Sequence, residues 1–273
     1  MKLAVIGAGT WGKNHLRCLL KIPSVQEVGV YDPCEQTQKK LSAEYSITIV
    51  KDLNALIHFD AVIIAAPTTL HYQLGKHCIN LGIPCLIEKP LAFEAKDAKA
   101  LCSLAQEKQA LVMVGHIEHF NPAFQRLKQI ISQKQSKKIF AIDIIRQGMA
   151  RQGLDKSVDV VFDLMIHDIE LVNALMGDDK IASVTAHNAN VKDSYGHVVS
   201  MLGYESGGIA NLTASRISHK KSRIMQVHCE DACYELDFIE QTLYEHKYTE
   251  QAIDKKQIDV VKYEPLKAEL EHF

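Results

Sequence analysis

The feature that most constrains this chain is Gly7-Ala8-Gly9-Thr10-Trp11-Gly12, which directly follows the apolar run Lys2–Ile6 and opens a segment of helical periodicity. Between a strand and a helix, three glycines at this spacing meet three separate needs. Gly7 permits the tight turn, Gly9 lets the backbone approach a pyrophosphate, and Gly12 allows helix and strand to pack closely. Free N–H groups at the helix start, around Thr10 and Trp11, then face the phosphates. Asp32 stands 20 residues beyond Gly12 at the predicted end of the second strand. A carboxylate there accepts from both adenosine ribose hydroxyls and repels a 2′-phosphate, so the expected cofactor is NAD rather than NADP. The glycines alone leave open a plain strand-to-helix turn with a surface aspartate.

The first half of the chain alternates short apolar runs with helical periods, as parallel βαβ units do. Strands are predicted at Lys2–Ile6, Val28–Tyr31, Ala61–Ala65, Pro84–Ile87 and Leu111–Val114, with helices over Trp11–Leu20, Cys34–Tyr45, Leu70–Leu81 and Phe93–Lys108. Beyond residue 120 a helix at Pro122–Ser132, a strand at Lys138–Arg146, a polar stretch to Ser157 and a helix over Val158–Met176 precede six strand-like runs between Ile181 and Lys247. Consecutive strands without helices between them predict an antiparallel sheet. The expected fold is therefore α/β: a doubly wound Rossmann domain over residues 1–120, then an α+β domain over 121–273 with a mostly antiparallel open sheet.

Composition removes several function classes. With 273 residues, 47% of them apolar, the chain can bury a sizeable core, and 14 Gly and 7 Pro are too few for a collagenous or low-complexity chain. A formal charge of -2 gives no overall attraction to nucleic acid or to an acidic membrane. Seven cysteines at irregular spacing point to a reducing cytoplasm. No segment reads as a signal peptide or a membrane span. The histidines lack multidentate spacing, so no metal is expected.

Other residues read as candidates for a site. Ala66-Pro67-Thr68-Thr69-Leu70-His71 follows the third of these strands and has the position of a second cofactor-facing loop, although Thr68 or Thr69 merely capping a helix fits equally. Asp163 and His167 are four apart in a predicted helix and share a face, where the carboxylate can orient the imidazole. Asp168 points about 100° away from His167 and reads as a structural residue. Oxidising a secondary alcohol requires a base for the hydroxyl proton and a group that stabilises the developing alkoxide. His167 suits the first role and Lys89, in Glu88-Lys89-Pro90, the second. Glu118 and Asn121, with His116 nearby, flank the domain junction as candidates for sugar hydroxyls or the nicotinamide carboxamide, with Asn121 equally suited to cap the helix beginning at Pro122. Arg146 and Arg151 frame a loop long enough to reach a diphosphate, or an ordinary solvated one. The basic run Ser218–Arg223 reads as a turn between strands.

Glu88-Lys89-Pro90, the glycine fingerprint and His167-Asp168 together resemble the glucose-fructose oxidoreductase, inositol dehydrogenase and MocA (Gfo/Idh/MocA) family over nearly the whole chain. The resemblance implies that Lys89 sits at the nicotinamide and the substrate hydroxyl, with Glu88 beside it. It also implies that the C-terminal sheet supports substrate binding and homodimer or homotetramer contacts. Val114–Ala123 and Phe162–Glu170 look like the branch that oxidises the sugar 3-hydroxyl of UDP-N-acetylglucosamine or its uronic acid. That branch usually has arginine where this chain has His119, and glycine where it has Asp159. An inositol-like polyol dehydrogenase, a keto-sugar reductase and a catalytically inactive NAD-binding regulatory protein are the alternatives. By the same resemblance Leu266–Phe273 is the beginning of a longer helical segment that packs back near the Rossmann domain, so the C-terminus is expected to be short.

Overall fold

Strands β1 (Lys2–Ile6), β2 (Glu27–Tyr31), β3 (Thr48–Ile49), β4 (Ala61–Ile64), β5 (Cys85–Glu88) and β6 (Val112–Gly115) form a parallel sheet in the order β3-β2-β1-β4-β5-β6. Every residue of β4 and β5 is buried, which is what a sheet covered on both faces demands of its central strands. Helices α1 (Thr10–Leu19), α2 (Glu35–Glu44), α3 (Thr68–Asn80) and α4 (Ala95–Lys108) make the connections. The computed structural model describes residues 1–134, 138–149, 158–191, 194–248 and 252–273.

Strand order reverses at β1, whose Ile6 pairs with Tyr31 of β2 on one side and Ile64 of β4 on the other. The carboxyl ends of β1 and β4 therefore frame the crevice in which open α/β sheets bind ligands. Gly7, Asp32, Ala66 and Glu88 all stand at this edge. The two-residue β3 lacks an apolar run of its own and is invisible to periodicity. It pairs with Gly29 and Val30 of β2.

From Ile117 to Pro265 a second compact unit forms. It contains α5 (Pro122–Gln133), β7 (Ile139–Met149), a π-helical turn at Val161–Met165 running into α6 (Ile166–Met176), and strands β8 (Ile181–Val191), β9 (Ser194–Tyr204), β10 (Ile209–Ser215), β11 (Ile217–Cys229), β12 (Cys233–Asp237), β13 (Thr242–Tyr248) and β14 (Ile253–Ile258). The eight strands run β14-β13-β12-β11-β7-β10-β9-β8, antiparallel except for β7 beside β10. One face of this sheet, with Ile142, Ile144, Ala210, Leu212, Val198 and Leu202, packs in the apolar core with Phe124 and Leu127 of α5 and Leu171 and Val172 of α6. The closing helix α7 (Pro265–His272) does not stay with these strands. Leu266–Phe273 groups with Met1–His116 as part of the first unit.

Three expectations need correction, and one strand was not expected. β7 continues to Met149, so Arg146 is a strand residue and not the edge of a loop. The basic run Ser218–Arg223 lies inside β11, where a bulge between Ile217 and Ser222 absorbs its extra residues opposite Met149 and Gln147. Polar composition reads as a turn there because ladder pairing is a tertiary fact. The helix expected over Val158–Met176 is a π turn followed by an α-helix. The strongly charged β14 carries too few apolar residues to be recognised as a strand, and its ladder with β13 holds it.

Candidate active site

In the first unit the glycine loop is shaped by close contacts. Gly7 has φ +90, and a Cβ on it would come within 2.7 Å of Ala66; a Cβ on Gly12 would lie 1.9 Å from the Gly7 carbonyl oxygen. A Cβ on Gly9 would meet nothing within 4 Å. No side chain caps α1 among the described residues, which leaves its first N–H groups without a side-chain acceptor, as an anion cradle requires. Thr10 and Trp11 form the first turn of this helix. Asp32, at the end of β2, accepts the Ala8 N–H at 2.8 Å on one carboxylate oxygen and the Cys34 N–H at 2.9 Å on the other. A carboxylate has about four lone-pair sites, so both oxygens retain capacity for ribose hydroxyls. This open cradle and its adjoining acid fit NAD.

The second loop is braced from within. Pro67 is the N-cap of α3, so Thr68 and Thr69 are helical residues and neither caps it. His71 is 1% exposed. Its Nδ1 lies 2.8 Å from the Pro90 carbonyl oxygen and its Nε2 2.9 Å from that of Ala66. The ring thereby ties the loop after β4 to the Glu88-Lys89-Pro90 turn after β5. Glu88 is buried as well, with Oε1 2.8 Å from His15 Nε2 and Oε2 accepting the Lys89 N–H at 3.2 Å. Lys89 is half-buried.

In the second unit His167 sits buried in the first turn of α6, immediately after the π turn. Single π turns mark functional segments often enough to count in favour of the site. Asp159 stabilises this turn from below: its Oδ1 accepts the N–H groups of Val161 at 2.9 Å and Phe162 at 3.1 Å. Asp163 lies 3.7 Å from Arg216, whose guanidinium also donates to the Val158 carbonyl oxygen at 2.9 Å.

Behind His167, Asp168 is 0% exposed and accepts from Arg146 Nε at 2.8 Å. Arg146 Nη1 donates to Glu118 Oε1 at 2.7 Å, and Arg223 Nη1 donates to the same oxygen at 2.9 Å. The Arg146 cation also lies 5.4 Å from the Phe238 ring centroid. Burial raises the Asp168 carboxyl to about 6 although Arg146 pulls it down. Burial likewise works against the Arg146 charge, but the Asp168 and Glu118 carboxylates outweigh it and hold the guanidinium above its ordinary range. Asn121 caps α5 by accepting the Ala123 N–H at 3.1 Å, and its amide donates to the Phe238 carbonyl oxygen at 3.0 Å.

Residues 1–116 match the family model described as "Oxidoreductase family, NAD-binding Rossmann fold", and residues 124–235 match the "GFO/IDH/MocA C-terminal domain". UDP-N-acetylglucosamine 3-dehydrogenase of Acidithiobacillus ferrooxidans is 30% identical over 100% of this chain and 87% of its own length. Its solved structure superposes with a TM-score of 0.90, covering 99% of this chain and 86% of that one. The chain belongs to the Gfo/Idh/MocA family. Inositol 2-dehydrogenase of Rhizobium meliloti is 25% identical over 79% of the chain and 69% of its own length. GenD2 from gentamicin A biosynthesis, solved in complex with NAD, shares the fold at 20% identity with a TM-score of 0.80, covering 87% of this chain and 72% of that one.

This Gfo/Idh/MocA protein is thus an NAD-binding oxidoreductase, and its two compact units divide the expected site residues. Gly7, Gly9, Thr10, Trp11, Gly12, Asp32, Ala66, Pro67, Thr68, His71, Glu88 and Lys89 belong to the first; Glu118, Asn121, Arg146, Asp163 and His167 belong to the second. Arg151 lies outside the described residues. Glu118, Asn121 and Arg146, read from the sequence as substrate contacts, direct polar atoms to buried partners inside the unit. His119, which stands where related chains usually have arginine, places Nδ1 2.9 Å from Glu170 Oε1. Sequence reasoning missed His15, Arg216, Arg223 and Glu269. For Glu269 a signal existed: Leu266, Glu269 and Leu270 fall at helical spacing on one face, so an acid interrupts an apolar stripe.

Proposed function

We propose that the chain oxidises the secondary alcohol of a sugar, specifically the 3-hydroxyl of a UDP-N-acetylhexosamine, with NAD as acceptor, in the cytoplasm. The observation that carries this reading is the likeness to UDP-N-acetylglucosamine 3-dehydrogenase over 100% of this chain, against 79% of it for the inositol dehydrogenase. Seven cysteines free of disulfides agree with a reducing compartment.

Bound NAD supplies the nicotinamide carbon that takes up a hydride. In this reading the remaining tasks fall to the chain. His167 removes the hydroxyl proton of the substrate, and Asp163 orients and charge-stabilises the imidazole. The Lys89 ammonium, with Glu88 beside it at the nicotinamide end of the site, stabilises negative charge growing on the oxygen. Glu118 and Arg146 hold Asp168, and so the first turn of α6, in place. Asp32 selects NAD through the adenosine ribose.

The chain also acts as a homodimer or homotetramer in this proposal. The sheet face opposite α5 and α6 supports it: Ile145, Val199, Met201 and Ile209 are all exposed there. Ile145 and Val199 flank Thr213 in one lateral row across β7, β10 and β9. Apolar side chains spread over an open sheet mark a contact surface.

The test follows NADH formation with UDP-N-acetylglucosamine, its uronic acid and myo-inositol, with a carbonyl trap present, in the wild type, Lys89→Ala and His167→Ala. Turnover of a UDP-sugar and a loss of about a hundredfold or more in each variant is the expected result. Turnover of inositol alone would overturn the substrate, and undiminished rates in both variants would overturn the two catalytic residues.

A further inference from the structure

The terminal helix carries an acid that this chemistry leaves unused. Glu269 is 0% exposed between the buried Leu266 and Leu270 of α7. Among the described residues neither of its carboxyl oxygens has a hydrogen-bond partner. The charge it meets is Glu88, at the end of β5. Glu88 has a partner on each oxygen, His15 at 2.8 Å and the Lys89 N–H at 3.2 Å. Helix α1 and strand β5 thus bring His15 and Glu88 together at the cofactor edge of the parallel sheet, and helix α7 brings the buried Glu269 within reach of the Glu88 charge. On its own helix Lys267 and Glu271 face away, paired with each other at 3.4 Å, and His272 is exposed.

Two carboxylates sharing a desolvated space do not both ionise, and the proton stays on the one with fewer donors. Glu88 has two and Glu269 has none. Burial first, and the Glu88 charge second, push the Glu269 carboxyl up to about 9.

We propose that Glu269 is a proton-holding positioning residue for the cofactor site: while its carboxyl is neutral Glu88 keeps its bonds to His15 and the Lys89 N–H, and loss of that proton displaces the Glu88-Lys89 turn and weakens NAD binding. The inference rests on the proposed function in one respect, that this turn carries the nicotinamide end of the site. Helix α7 thereby contributes to cofactor binding through a charge state, in addition to its packing.

The experiment compares wild type with Glu269→Gln, an isostere of the neutral acid. NAD affinity is titrated calorimetrically between pH 7 and pH 10 in two buffers of different ionisation enthalpy, and the apoproteins are melted across pH 5 to 9. In the wild type, affinity falls about tenfold for each pH unit above about 9, and binding at pH 10 takes up close to one proton. In Glu269→Gln the fall flattens to less than about twofold and the uptake disappears. The melting curves supply a readout without cofactor. A carboxyl raised in the folded state favours folding fully below its unfolded value near 4.5 and loses that contribution as pH rises through about 9, so only the wild type shows this decline. If Glu269→Gln folds poorly, proton uptake by the wild type still decides. Parallel affinity profiles, or no proton uptake by the wild type at pH 10, would overturn the inference. So would identical pH dependence of melting. Failure of the wild type to bind NAD even at pH 7 would instead overturn the cofactor reading beneath it, while the melting comparison would still report the state of Glu269.

Discussion

Replacing Arg146 with methionine tests whether the charges behind His167 form a closed buried network. Arg146 is 1% exposed and bonds Asp168 at 2.8 Å and Glu118 at 2.7 Å. Methionine fills much of the same volume, so packing loss is small and the main effect is two carboxylates left without their shared cation. Glu118 keeps Arg223 at 2.9 Å, whereas Asp168 loses its hydrogen-bond donor and keeps only the weaker pull of the Arg223 charge against its burial. Breaking a buried pair this way costs about 3–5 kcal/mol. The pH dependence sharpens the test. In the wild type Asp168 has risen from 3.8 to about 6. Its favourable contribution to folding is complete below pH 3.8 and gone above about pH 6, so from there to pH 8 the wild type is level with respect to this group. Without Arg146 the carboxyl rises further, and the variant continues to lose about 1.4 kcal/mol per pH unit beyond pH 6. Urea unfolding followed by far-UV circular dichroism at pH 6, 7 and 8 should show a deficit of about 3 kcal/mol that widens by about 1 kcal/mol with each step. A deficit under about 1 kcal/mol, or one that does not change with pH, would refute the buried network. Adding Asp168→Asn should recover part of the loss and remove the pH dependence.

The remaining predictions address the first unit and the exposed sheet. Gly12→Ala places a Cβ 1.9 Å from the Gly7 carbonyl oxygen, a backbone atom that cannot rotate away; the expected result is a loss of about 1–3 kcal/mol in stability together with at least tenfold weaker NADH binding by fluorescence titration. Unaltered binding would argue against the close packing of α1 on the loop. Ile145→Lys puts a charge at the β7 position of the exposed row, and light scattering should report a smaller assembly than the wild type with the same melting temperature. An unchanged mass would remove this face from the proposed oligomer contact.

Local sequence determined a large part of this protein. An apolar run ending in Gly7-Ala8-Gly9-Thr10-Trp11-Gly12 marks a tight strand-to-helix turn, because the positive φ at Gly7 and the clash of a Gly12 Cβ with the Gly7 carbonyl oxygen are set within a single strand, turn and helix. The predicted parallel strands fall within one residue of the observed ones for the same reason: strands buried on both faces must be continuously apolar, and little else in the chain is. Asp168 read as structural from its angle to His167, and its bond to Arg146 agrees.

What the tertiary structure decided concerns polar residues whose partners are far away in the chain. Arg146 and Glu118 read as substrate contacts because charge in a linear sequence suggests exposure, yet they meet across 28 residues. His15 and Glu88 meet across 73. The two-residue β3 and the charged β14 exist through ladder hydrogen bonds that carry no side-chain signature. Glu269 marks the limit most clearly. Its position on an apolar stripe is visible in the sequence, but its neutral state follows only from α7 lying in the first unit near a Glu88 already held by other donors. Turn geometry is local and is written in residue type, whereas the protonation of a buried acid depends on desolvation and neighbouring charge, which exist only after distant segments have packed.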